Sequence, residues 1–281
     1  MPHHRFLKVA GPRSATMAET TTVEAVLKHD RVIVLAGVVG LCGLAWAYLL
    51  TLAWRMPPQD MGMVMAMAMP HMQDWGTTEV FLTWVMWAVM MVAMMMPSAV
   101  PMLLTFATIN RRRRAQQGPF VPTTVFALGY LLVWSGFSAL ATVVQWGLHT
   151  AALLSPLIVI TSPLLGGLFL IAAGLFQWTP LKSTCLTQCR SPLGFLMTEW
   201  REGAWGALVM GLRHGSFCVG CCWVLMALLF VMGVMNLLWV AAIAALILVE
   251  KVLPRGALVG RVAGGVLLLA GLVLIGQQWL T

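Results

Sequence analysis

The chain has 281 residues, 60% of them hydrophobic and only 9% charged, with a mean hydropathy of +0.89. A soluble domain of this length carries far more charge, so the composition argues against one. The net charge of +8 is spread over short segments rather than gathered in a patch, which argues against nucleic-acid binding and for contact with anionic lipid.

Residues 1–31 are polar and slightly basic, and they contain no apolar core of the signal-peptide kind. They read as a cytosolic N-terminal tail. Residues 32–281 read as a single transmembrane domain, because apolar runs of about 20 residues recur, each able to cross ~30 Å of hydrocarbon. The expected fold is all-α, a polytopic transmembrane helix bundle. Seven spans are predicted, at 32–52, 80–109, 122–147, 157–178, 207–232, 236–253 and 258–279. With the N-terminus inside, Arg55 is the one basic residue of 17 that falls on the outer side, which fixes the expected orientation. The membrane is expected to be the bacterial inner (cell) membrane.

After the first span comes an outer loop, 54–78, rich in methionine and carrying His71. Span 2 adds more methionine, so that 14 of 21 methionines fall within residues 56–102. Thioether sulfur is a soft ligand suited to Cu(I). Met86, Met90 and Met94 follow one another at i, i+4, i+8 and form a sulfur stripe on one helix face. Span 2 is too long for one straight crossing, and Pro97 and Pro101 are expected to kink or break it. The cluster Arg111 to Arg114 behind it reads as a topology signal.

An inner loop, 179–206, holds Cys185 and Cys189, spaced to share a helix face and to chelate one soft ion or form a dithiol. The run RHGSFCVGCCW, 213–223, then places an imidazole and three thiols inside an apolar stretch, where reactive side chains mark function. On a helix, His214, Cys218 and Cys221 fall within about 60° of one face, flanked by Cys222. His214 and Cys222 are about 12 Å apart along the axis, so one ion cannot take all four groups from one straight helix. Further ligands must come from elsewhere, and a low-coordinate Cu(I) site fits better than tetrahedral zinc, the second candidate ion. Gly211, Gly215 and Gly220 would let a neighbouring helix come close. Glu250 and Lys251 end span 6, where they either pair inside the bundle or snorkel to the interface.

The motifs MMVAMMMPS (90–98), QWTPLKSTCLTQCRSP (177–192), GLRHGSFCVGCCW (211–223), GVMNLLWV (233–240) and Glu250-Lys251 occur in this order. Together they resemble a bacterial family of unknown function described as predicted metal-binding integral membrane proteins, over about residues 80–255. The resemblance implies an integral membrane protein that binds metal. It supplies no ligand assignments, so these rest on the chemistry above.

Two classes of function follow. The first is copper handling, either transport or delivery to a copper chaperone or a partner membrane enzyme, with Cu(I) held by Met, Cys and His. The alternative is a membrane-embedded metal- or thiol-dependent oxidoreductase. No P-loop motif is present to drive transport with nucleotide.

Overall fold

Long apolar runs without interior polar punctuation favour helices that satisfy their own backbone groups, and the computed structural model is built from them. It describes residues 13–54, 76–116, 121–151, 153 and 162–277, with side chains from residue 31 onward. The helices are α1 (Arg13–Trp54), α2 (Thr77–Ala115), α3 (Thr123–Thr150), α4 (Pro163–Phe176), α5 (Pro180–Arg190), α6 (Pro192–Glu199), α7 (Gly203–Ala227), α8 (Leu229–Met232), α9 (Leu237–Val252) and α10 (Gly256–Gln277). No strand occurs among the described residues.

Five stretches are long and apolar enough to cross a membrane: Arg31–Trp54, Thr77–Arg114, Thr123–Thr150, Gly203–Met232 and Gly256–Gln277. A sixth is added if α4 and α5 count as one crossing, bent by 61°. The difference from the seven predicted spans has two physical sources. The described part of the fourth span is a 14-residue helix, α4, that stops at the bend. The sixth span, α9, has 16 residues and so a length of only about 24 Å. The N-terminal tail largely lies outside the described side chains, but α1 reaches back through it to Arg13.

The expected break in α2 does not occur. Pro97 and Pro101 sit inside one continuous 39-residue helix. Proline removes a donor and crowds the preceding turn, yet neighbouring helices and hydroxyls can absorb the disturbance. The carbonyls of Ala93 and Pro97, four residues before the prolines, lose their usual donors, while Ser98 Oγ donates to the Met95 carbonyl at 2.8 Å and Thr105 Oγ1 to the Pro101 carbonyl at 2.7 Å.

The bundle is apolar outside and holds its polar groups within. Leu44, Leu269 and Leu272 are exposed, whereas Asn110, Gln145, Lys182, His214, Glu250 and Lys251 are buried. The buried polar groups are tied across helices, as burial demands. Trp87 Nε1 donates to Gln145 Oε1 at 2.7 Å, linking α2 to α3. Helices α3 and α7 pack tightly. A Cβ on Gly211 would collide with the Phe126 carbonyl, and one on Gly129 with the Leu208 carbonyl, so these two glycines permit backbone-to-backbone contact.

Candidate metal centre

Helix α7 carries the predicted ligands, and all four are buried: His214, Cys218, Cys221 and Cys222. The small residues around them set how near the other elements come. Gly215 lies against Val133 of α3. Gly220 lies under α5, where a Cβ would come within 2.7 Å of Cys185 Sγ.

Helix α5 begins after the bend because Thr179 caps it, its hydroxyl accepting from Lys182 N at 3.3 Å, with Pro180 at the first position. The i, i+4 pair Cys185 and Cys189 then faces inward, both thiols buried against α7. Cys189 makes side-chain contacts with Cys218 and Cys221. Cys222 also contacts both of these residues. Cys221 Sγ and Cys222 Sγ each donate to the Cys218 carbonyl, at 3.1 and 2.9 Å. Three thiols from two helices thus gather about Cys218. Among the described residues, no three His, Cys, Asp or Glu side chains stand in a geometry that would hold one metal ion without movement.

The surroundings of Cys218 were only partly foreseeable. Lys251 Nζ, from the end of α9, donates to Cys218 Sγ at 2.8 Å and to Ser98 Oγ at 3.1 Å. Tyr130 Oη lies 3.1 Å from the same sulfur and 3.2 Å from the Met95 carbonyl. Ser98 donates to that carbonyl as well, so a closed ring of contacts runs from Met95 through Ser98, Lys251, Cys218 and Tyr130 back to Met95. The ring joins α2, α9, α7 and α3. The Met95 thioether completes the sulfur lining, 4.0 Å from Cys222 Sγ.

Lys251 does not pair with Glu250, one of the two arrangements expected of these neighbours. Glu250 turns to Lys182, whose Nζ donates to both carboxylate oxygens at 2.8 Å and also to Gln177 Oε1. Neighbouring residues on a helix point ~100° apart, so adjacent charges readily serve different networks.

His214 stands one turn before Cys218 in an aromatic cage. Tyr130 stacks on it at 5.6 Å, Phe195 meets it edge-on at 5.6 Å, and Phe126 lies 6.1 Å away. Its Nδ1 is buried with no hydrogen-bond partner. A buried unpaired nitrogen of this kind costs about 1–3 kcal/mol, and a ligand bond would relieve it.

The other predicted ligands are placed as follows. Met86, Met90 and Met94 are all buried in the bundle core. Met95, next along the chain from the predicted stripe, lies against the Cys222 thiol. His71 lies outside the described residues. Tyr130 had no sequence signal as a site residue, and Met95 and Ser98 stood out only as members of the motif at 90–98, because each joins the site across helices far apart in the chain.

A family model described as PpoB2, copper chaperone, matches residues 84–274. That range holds every residue of the thiol cluster and its ring of contacts, and it agrees with the resemblance carried by the motifs. No curated protein and no solved structure matches the chain.

Proposed function

We propose that this chain, which belongs to the PpoB2 copper-chaperone family, is an integral membrane protein that binds Cu(I) through soft ligands and passes it on. The observation that carries the reading is the gathering of Cys189, Cys221 and Cys222 about Cys218, beside the Met95 thioether and the unpaired Nδ1 of His214. Thiolate, thioether and imidazole together suit Cu(I). Cu(I) accepts two or three donors, which rotation of side chains already in contact can supply. Zinc, the second candidate, asks for a full tetrahedron.

Cu(I) is cargo in this reading. His71 and the outer methionines capture it, Met86, Met90 and Met94 convey it, and the thiols of α7 hold it. Cys185 and Cys189 of α5 then release it to a copper chaperone or a partner membrane enzyme. The N-terminus is inside, with α4 and α9 each completing a crossing of the inner membrane. The basic segments assigned to the inner side meet one another, which supports this orientation. Arg113 pairs with Glu202 at 2.8 Å, and Arg190 donates to the Leu253 and Pro254 carbonyls at 2.7 Å each.

A second reading, a thiol-dependent oxidoreductase, is favoured by the contact of Cys189 with Cys218 and Cys221. Metal content separates the two. Mass spectrometry of the detergent-purified protein should find copper near one per chain in the wild type. It should be lost in a Cys218→Ser/Cys221→Ser variant. Copper retained by the variant would end the copper reading at this site. A thiol count that follows redox state, with no metal held, would favour the oxidoreductase.

A further inference from the structure

A positive side chain placed against a sulfur of a metal site calls for explanation, because it carries the same sign as the cargo. Lys251 is such a group. It is 8% exposed, and its ammonium is fixed between Cys218 Sγ and Ser98 Oγ. It makes no ion pair with a carboxylate among the described residues. The acid beside it in sequence, Glu250, is held by Lys182 through both oxygens.

We infer that Lys251 is the specificity-determining residue of the thiol cluster, a fixed ammonium that admits univalent soft ions and disfavours divalent ones. The inference rests on the soft-metal reading above and names the charge class of the cargo. Its physical basis is Coulombic. At a given distance the ammonium repels a divalent ion twice as strongly as a univalent one, and low-dielectric surroundings magnify the difference. Charge balance points the same way. A metal-bound cysteine is a thiolate. Two thiolates and one univalent ion leave a single negative charge, which Lys251 cancels. Two thiolates and a divalent ion are already neutral, so Lys251 would stay buried and uncompensated, which is costly.

The test compares Ag(I) with Cd(II). Both are soft ions of the same electron count that favour sulfur; they differ in charge and in preferred coordination number, so the charge effect is read from the change in ratio between variants with the same thiols. The full chain, reduced and in mild detergent, is dialysed to equilibrium against mixtures of the two, and bound metal is counted by mass spectrometry. The wild type should favour Ag(I). Lys251→Met should narrow that preference at least about 10-fold, and Lys251→Arg should keep it. Ser98→Asp leaves the lysine in place but sets a carboxylate against its ammonium, and it should narrow the preference too. If Lys251→Met does not fold, Ser98→Asp decides. An unchanged Ag(I) to Cd(II) ratio in the deciding variant overturns the assignment. Binding of neither ion by the wild type overturns the soft-metal reading itself, a distinguishable result.

Discussion

Two regions of this molecule are rich in sulfur, and they are built differently. In α2 the thioethers of Met86, Met90, Met91 and Met94 sit among apolar side chains and contribute to the core. In α5 and α7 the thiols sit among polar partners: an ammonium, a phenol and a serine hydroxyl, joined through one carbonyl. Methionine is a flexible filler that needs no hydrogen bond. A thiol beside a buried lysine belongs to a network that every member must help satisfy. The lesson is that the density of soft atoms in a sequence locates sulfur, while the charged and hydroxyl partners, drawn from distant segments, locate the site. Met95 is where the two regions touch.

The largest effect that would break the thiol region should come from Lys182→Met. It strands Glu250, buried at 2% exposure, without its partner. Removing one member of a buried ion pair costs about 3–5 kcal/mol. The pair also ties α5 to α9, so thermal unfolding in detergent should move to lower temperature, and copper held through Cys189 should fall with it. A melting curve like that of the wild type would show that α5 is held by other contacts.

Met95→Leu should have a smaller effect and act on the boundary between the regions. It keeps the volume but removes the thioether beside Cys222. Cu(I) affinity, measured by competition with a chromogenic chelator, should weaken about 10-fold, while stability changes by less than about 1.5 kcal/mol. Unchanged affinity would remove Met95 from the ligand set. The smallest equilibrium effect is expected of Met86→Leu/Met90→Leu/Met94→Leu. Each swap conserves volume and should cost less than about 1.5 kcal/mol. Copper content at equilibrium should stay as in the wild type, while loading from added Cu(I) slows. Loading at the wild-type rate would confine these three residues to packing.

Much of the helical character was legible because apolar runs leave helices as the economical backbone solution. The concentration of chemistry in 213–223 was legible too, since imidazole and thiol in such a run have no ordinary packing role. The face shared by Cys185 and Cys189 followed from spacing alone. Less legible was anything that depends on rotation about a helix axis between elements. Glu250 and Lys251 look like a pair in the sequence, and a 100° step sends them to different partners. Met94 looked like the end of a stripe, and one residue further on Met95 meets Cys222. The prolines of α2 suggest a break by their local cost, but the helix runs on through both of them. Helix α9 nearly fills the predicted 236–253, but the caps at Asn236, whose side chain accepts from Leu238 N at 3.2 Å, and Leu253 leave it 16 residues long.

Gly220 has a consequence for how the cysteine motif is understood. It stands between Cys218 and Cys221, beneath Cys185, where a Cβ would press on the Cys185 sulfur at 2.7 Å and turn it out of its place. The motif is therefore a ruler as well as a set of donors: the glycine leaves the room in which the Cys185 sulfur of a second segment rests. A designer who grafted α7 alone into another scaffold would transfer the reactive atoms and lose the spacing that makes them one site. Searches for related sites should accordingly weigh the glycine between the cysteines as heavily as the cysteines, and demand the partner helix that rests on it.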